Sequence, residues 1–398
     1  MSRLHTSGLK LRLAGQAMVV GVALIVGGCA ASPAHALGVP GVTGHEILIG
    51  MSNPESGPLA VYSAAGSGMQ AYFDYVNAKG GIDGYRFKTV VVDNGGTVTG
   101  GASSVRQLIA DRPLAIEITI TACFIGAEAV LKANPSVTAL ALASGATVKS
   151  AGLSNVFGLF NDYTTDSFFD MKYVVQTLGV KKVGLMYDPT LAAQSSAQDP
   201  AYVRRLGGSL AANVSVVGTE TDFAPVVAQL RNAGVQAVVL MATIPEIVGF
   251  AKAAVAVGYS PKMVTYSGNI GPSVIAAGGA AVSGLYAPSL FPPLTSSDPA
   301  IVLFRKEVAK YAGSAAVNGI SQIGWAAGAV VVAAVQKELT SGKTLGYKNF
   351  RSGLYALYGH MVSYVRVGLR PSAHYAIGAA SSYTMYVVKN GRFVAARA

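Results

Sequence analysis

The chain has 398 residues, 51% of them hydrophobic and only 12% charged, with a formal net charge of +11. That length is enough for two domains with cores of their own, and the composition excludes a disordered chain. The basic surplus is scattered, with no basic block and no aromatic–basic repeat, so it marks a solvated surface and not a nucleic-acid footprint.

Residues 1–28 read as an export signal. Arg3, Lys10 and Arg12 give a basic start, and Ala14 to Gly28 is an uncharged apolar run too short to span a bilayer comfortably. Two cleavage points compete. Val26-Gly27-Gly28-Cys29 is similar to a bacterial lipobox, which makes Cys29 a lipid-bearing terminus, and Ala34-His35-Ala36 is a small-x-small site. We favour the lipobox, with residues 29–44 as a small-residue tether. Either cut leaves Cys123 as the one remaining cysteine, so no internal disulfide is expected. Cys123 itself reads as a small buried residue and not as a nucleophile.

From Ile47 strands and helices alternate. Ile47 to Met51 is a strand that runs into a polar loop with Pro54, Ser56, Gly57 and Pro58. A helix follows whose buried face carries Met69, Tyr72, Phe73 and Val76, and Gly80-Gly81 stops it. Phe87 to Val92 is a second strand, so a parallel pair is expected, with ligands at the carboxyl end of the first strand. Further strands are expected at Leu114 to Ile120 and Val137 to Ala143, with Thr121 to Phe124 and Ser144 to Thr147 as their terminal loops. Asn155 to Asp162 is expected to cross into a second domain. There a helix runs from Thr164 to Leu178, and Val183 to Tyr187 is a strand followed by a loop from Asp188 to Ser196. Strands are expected at Val214 to Val217, Val235 to Met241 and Met263 to Tyr266, with helices at Phe223 to Ala233, from Ile244-Pro245-Glu246, and after Pro272. Gly284 to Pro288 is expected to return to the first domain, which helices at Pro299 to Tyr311 and Ile320 to Lys337 complete. The latter helix is apolar but short, and reads as a core helix instead of a membrane span. Tyr383 to Val394 reads as a hairpin turning at Asn390-Gly391. The domain division expected is 45–160 with 287–342, and 161–286 with 343–398.

Enzyme signatures are missing from the sequence. No histidine pair has metal-ligand spacing, and there is no Gly-x-Ser-x-Gly elbow. Ser341-Gly342-Lys343-Thr344 follows a helix instead of a strand and lacks the upstream glycine of a phosphate loop. Gly66-Ser67-Gly68 lies at a helix start, away from any strand end. Glu55 and Glu246 fall on loops of opposite domains, too little for acid–base catalysis. No cofactor and no metal is expected.

SGPLA, NAKGGIDG and VVVDN, together with TDFAPVVAQLRNAGVQAVVL in the second half, resemble the type I periplasmic substrate-binding proteins of ABC transporters. The branch is the one named for branched-chain amino-acid uptake. The resemblance implies two doubly wound α/β, Rossmann-like domains around a ligand cleft. It implies a monomer that passes a small solute to permease subunits at the membrane. The same fold also serves as a sensing domain for a signalling partner, and the sequence leaves that alternative open. Carried over residue by residue, the resemblance assigns ligand contacts to Tyr62, to Thr121, Ala122 and Cys123, and to Ser144, Gly145, Ala146 and Thr147. In the second domain it points to Thr243, Glu246 and Ser267. Here the chain departs from relatives that bind amino acids. Tyr266-Ser267-Gly268 stands where they place a glutamate for the α-ammonium, and Gly158 stands where they often have arginine. The aromatics expected near Leu191-Ala192 and at Thr243-Ile244 are also missing. Burying an ammonium without a carboxylate is costly, so a standard zwitterionic amino acid is not the expected ligand.

Overall fold

The computed structural model describes residues 39–218, 220–368 and 383–396. The signal segment, both cleavage sites and most of the tether lie outside the described residues. Beyond them the chain forms two lobes, each a sheet with helices on its faces.

The first lobe alternates strand and helix because apolar strand segments alternate with amphipathic helical ones. Its elements are β1 (Val42–Thr43), β2 (Glu46–Asn53), α1 (Ala64–Ala78), β3 (Arg86–Asp93), α2 (Val98–Ala110), β4 (Ala115–Thr119), α3 (Thr121–Ala133), β5 (Ala139–Leu142), α4 (Gly145–Ala151) and β6 (Val156–Gly158). β2 and β3 are parallel from Glu46↔Arg86 to Asn53↔Asp93, as the strand–helix–strand reading requires. The parallel order is β3-β2-β4-β5-β6, and β1 adds a short antiparallel rung to β2. Every residue of β4 and β5 is buried, as expected for strands covered on both faces.

The second lobe holds α5 (Tyr163–Lys172), β7 (Lys182–Tyr187), α6 (Pro189–Arg205), β8 (Ser209–Ser215), α7 (Ala224–Asn232), β9 (Ala237–Met241), α8 (Ile244–Ala256), β10 (Lys262–Thr265), α9 (Pro272–Gly278) and β11 (Tyr286–Ser289). The chain then returns to the first lobe through α10 (Pro299–Ala312), α11 (Gly319–Thr340), α12 (Tyr347–Ala356) and a small hairpin, β12 (Met361–Val362) and β13 (Val365–Arg366). It ends in the second sheet with β14 (Thr384–Lys389) and β15 (Arg392–Ala395). That sheet runs β15-β14-β11-β10-β9-β7-β8, parallel except for the last hairpin. The hairpin turns at Asn390 and Gly391, both at positive φ (51° and 69°), as a two-residue Asn-Gly turn demands.

Six segments differ from expectation. Residues 121–124 and 145–147 are not strand-end loops but the first turns of α3 and α4, which start directly after the strand ends. Residues 189–205 form helix α6 and not a loop: Asp188 caps it by accepting from Thr190 N–H, and Pro189 opens it. The strand expected at Val214 to Val217 begins earlier, at Ser209. Tyr286–Ser289 remains in the second sheet, where it pairs with β10 and β14, so the return to the first lobe comes after Ser289. Helix α12 sits with the first lobe, because Arg351 donates to Thr138 Oγ1 and to the Val137 carbonyl, each at 2.9 Å.

Helix α11 lies directly against α1. A Cβ on Gly324 would stand 1.7 Å from the Ala65 carbonyl oxygen, and one on Gly68 would stand 2.0 Å from that of Ser321. Glycine is required at both by this approach, since both are helical. The helix is long and apolar enough to cross a membrane, but 83% of its apolar window is buried within the fold. Trp325, fully buried, packs edge-on to Tyr72 at 4.8 Å and to Phe304 at 5.7 Å.

Where α5 meets α6, three carboxyl groups are fully buried: Asp166, Asp170 and Asp199. Ser167 Oγ donates to Asp199 Oδ2 at 2.5 Å, and both oxygens of Asp170 lack a hydrogen-bond partner among the described residues. Burial pushes Asp166 up to about 6 and Asp199 up to about 7, and drives Asp170 well above the usual carboxylate range with help from the other two charges. A folded-state value above the unfolded one means that the native state holds these protons more tightly, so stability falls as pH rises through that interval. Chemical denaturation is therefore expected to show a protein more stable at pH ~5 than at pH ~8, by on the order of 3 kcal/mol. Asp199→Asn should make the profile shallower, with Asp166 and Asp170 carrying what remains. A profile flat or rising across this window contradicts the reading.

Candidate functional site

Both sheets place their first strand between the second and the third: β3-β2-β4 in one lobe and β8-β7-β9 in the other. Chain segments leaving the first and third strands diverge there, which opens a crevice at the carboxyl ends. The segments after β2 and β4 in the first lobe meet those after β7 and β9 in the second. Between them lies a cavity of about 350 Å³, lined from both lobes.

Tyr62, in a short 3-10 turn after β2, spans the two lobes. Its hydroxyl donates to Asn269 Oδ1 at 2.7 Å and accepts from Ile244 N–H at 3.0 Å. Asn269 is fixed in turn by donating to the Ala242 carbonyl at 2.8 Å and to Thr265 Oγ1 at 2.9 Å. Burial raises the Tyr62 phenol far above its usual value, so it stays neutral. Tyr163 and Tyr266 share the wall, their rings 4.7 Å apart.

The first lobe presents the start of α3. Ile120 precedes it with φ 84° and ψ 130°, a conformation costly for a β-branched residue, and no side chain caps the helix. The strain holds Thr121 and Ala122 at the cavity wall, with the first N–H groups of the helix unclaimed by any helical carbonyl. Much of the remaining wall is apolar, including Leu59, Leu142, Phe160, Leu191 and Ile323. Asp188 is the acidic residue of the wall. It is 5% exposed, and its Oδ1 accepts from the Thr190 N–H and hydroxyl at 2.7 and 2.8 Å. Burial raises its carboxyl.

Of the residues singled out from the sequence, Tyr62, Thr121, Ala122 and Thr243 line this cavity. The others are placed elsewhere, each for a visible reason. Cys123 faces the α2–α3 core, and burial pushes its thiol up to about 12. Ser144 donates its backbone N–H to Thr121 Oγ1 at 3.1 Å, behind the wall. Gly145 donates to the Asn161 carbonyl, Ala146 opens onto a separate surface depression with Lys149, and Thr147 begins the turn bonded to Ser150. Glu246 closes a capping box, its Oε2 accepting from Thr243 N–H and Oγ1 at 2.7 Å each. Burial beside Asp188 brings that carboxyl to about 7. Ser267 gives both its N–H (3.2 Å) and its hydroxyl (2.7 Å) to Asp166 Oδ2. Asp166 also accepts from Asn161 Nδ2 at 2.6 Å, which joins the crossover segment to the loop after β10.

Asp188, Tyr163 and Phe160 were not foreseen, whereas Leu191 lines the cavity at the position where the resemblance led us to expect an aromatic. The Asp-Pro pair after a strand signals a helix cap, and that cap position is at the switch point of the second sheet; Tyr163 and Phe160 carry no local signal.

A cavity walled by the strand ends of two doubly wound lobes defines a ligand-binding cleft. A family model described as "Periplasmic binding protein" matches residues 46–389, and the chain belongs to that family. It is similar to Leu/Ile/Val-binding protein homolog 3 of Brucella melitensis biotype 1, at 24% identity over 196 residues, 48% of this chain and 53% of that protein. The match thus spans about half the length of that relative. Among solved structures it resembles a branched-chain amino-acid ABC transporter protein from Thermus thermophilus with bound valine. There the TM-score is 0.77 at 16% identity, covering 89% of this chain and 96% of the other. It equally resembles a fatty acid ABC transporter substrate-binding protein from Thermomonospora curvata, with TM-score 0.78 at 18% identity, covering 90% and 92%. At such identities the likeness is one of fold.

Proposed function

We propose that this protein captures a small organic solute between its lobes outside the cytoplasm and delivers it to an ABC-type permease, without chemistry of its own. The observation that carries this reading is the cavity walled by strand ends of both sheets. A solute there touches both halves and favours their closure by its binding free energy. The two lobes act as domains. The chain is exported and held at the membrane by a lipid on Cys29, or released after Ala36, and works as a monomer.

The ligand is a less polar molecule than a standard zwitterionic amino acid: an aromatic or aliphatic acid, or an amide. Support comes from the apolar wall and from the placement of the two groups considered for an ammonium. Glu246 caps its own helix through Oε2 and keeps Oε1 buried outside the cavity lining, and Ser267 is bonded to Asp166. The uncapped start of α3 suits the carboxylate.

Native mass spectrometry of the purified protein, then a thermal-shift screen, tests the proposal. The panel holds amino acids, aromatic acids, fatty acids and amides. A ligand at a hundred times its dissociation constant adds about 2.7 kcal/mol of apparent stability, easily seen as a raised melting temperature. A non-amino-acid solute recovered unchanged is the expected result. A shift from leucine or valine alone overturns the ligand class, and no shift from any solute counts against capture.

A further inference from the structure

We infer that the ligand is a monocarboxylate carrying a neutral hydrogen-bond donor at its far end, a hydroxyl or an amide N–H, and that Asp188 is the residue that selects for this donor. The inference rests on the solute-capture reading above and narrows its ligand class.

Asp188 is 95% buried in the cavity wall, at 5% exposure. Its Oδ1 is occupied by Thr190, at 2.7 and 2.8 Å. No described residue donates to Oδ2. That oxygen looks toward Gly218, where an added Cβ would stand 3.8 Å from it, and Gly218 also lines the cavity. That oxygen faces the cavity with no donor from the described residues, so a ligand that brings a donor replaces water there, whereas one without a donor strips the carboxylate of its hydrogen bond and binds less well. The opposite lobe offers the uncapped start of α3, held by the strained Ile120. An anionic end on the first lobe and a donor on the second place the two groups at opposite ends of the molecule, and each would bind only with the lobes together.

The donor is neutral because the hydroxyls around Asp188 are already committed. Thr190 Oγ1 donates to Asp188, Thr243 Oγ1 donates to Glu246, and Tyr62 both donates and accepts. Glu246 Oε1 also lacks a donor among the described residues but lies buried outside the cavity lining, so the oxygen open to the ligand is Asp188 Oδ2, which matches one O–H or N–H. An ammonium brings three donors and a charge, and would bury the surplus.

The test is titration calorimetry of the purified full chain with matched probes: hexanoate, ω-hydroxyhexanoate and ω-aminohexanoate, and phenylpropionate beside its para-hydroxy analogue. In at least one pair the hydroxylated acid is expected to bind about 10- to 100-fold more tightly than its parent. Asp188→Ser keeps a good N-cap residue but removes Oδ2, and should abolish the difference between the pair members. Asp188→Asn serves if the serine variant does not fold. Equal binding of parent and hydroxy acid overturns the role of Asp188 and leaves solute capture standing. Tighter binding of the amino analogue overturns the neutral donor. Silence from all five probes overturns the carboxylate ligand as well, and the broader thermal-shift panel then decides whether capture itself survives.

Discussion

Gly324→Ala should cost the protein at least about 3 kcal/mol, read as a lower urea midpoint at unchanged slope. The sign is what makes this informative. Replacing glycine by alanine inside a helix ordinarily stabilises by about 1 kcal/mol, because it removes backbone freedom from the unfolded chain. Here the new methyl group would sit 1.7 Å from the Ala65 carbonyl oxygen, and that carbonyl belongs to the backbone of α1, which cannot swing aside as a side chain can. The two helices must separate, and the buried faces that separate include Met69 and Trp325. Such a loss is a large part of the roughly 5–15 kcal/mol that holds a domain folded. Gly68→Ala, facing the Ser321 carbonyl at 2.0 Å, should do the same. The double variant should lose less than the sum, since helices moved apart by the first methyl have room for the second. A neutral or stabilising result at Gly324 would show that α1 and α11 tolerate a wider spacing than the structure has.

Tyr62→Phe should weaken ligand binding at least about 30-fold and leave the melting temperature of the unliganded protein nearly unchanged. The hydroxyl is the only group removed. It donates to Asn269 and accepts from Ile244 N–H across the lobe boundary. With the lobes apart, water satisfies those partners. With the lobes together, phenylalanine leaves a buried carbonyl and a buried N–H unmet, at about 1–3 kcal/mol each. The penalty falls on the closed form alone, so closure becomes harder and apparent affinity drops by the same factor. Small-angle scattering should show a larger radius of gyration for the unliganded variant. Unchanged affinity with reduced thermal stability would assign Tyr62 to packing and remove it from the closure mechanism.

The fold was largely readable because its signals are local. The i, i+3, i+4, i+7 face of α1, the Gly80-Gly81 stop and the Asn390-Gly391 turn each follow from a few neighbouring residues. Helix α6 was misread for an equally local reason. Its sequence, Pro189 to Arg205, has few large apolar residues and contains Pro200, so periodicity gave little; the structure bends it at Ala192. The strand at Tyr286–Ser289 was assigned to the return crossing because its role depends on pairing with β14, nearly a hundred residues on. The site was only half readable. Tyr62, Thr121 and Thr243 sit at strand ends, and strand ends can be counted along the chain. Whether a polar side chain at such an end faces the ligand depends on who else bonds it. Ser267 is taken by Asp166, 101 residues away, and no local pattern announces that.

The first lobe is not continuous in sequence. Its opening helix α1 ends at Ala78, whereas the helix that covers it, α11, begins only at Gly319. Between them lies every strand of the parallel portion of the second sheet, from Lys182 to Ser289. The second lobe therefore has most of its own contacts close in sequence, while the first must close a loop of some 240 residues to bury α1. Loop-closure entropy grows only logarithmically with length, so this costs little at equilibrium, but it delays the contact. A chain that emerges from its amino end exposes the apolar face of α1 until α11 has appeared, long after the parallel strands of the second sheet, although that sheet in turn waits for β14 and β15.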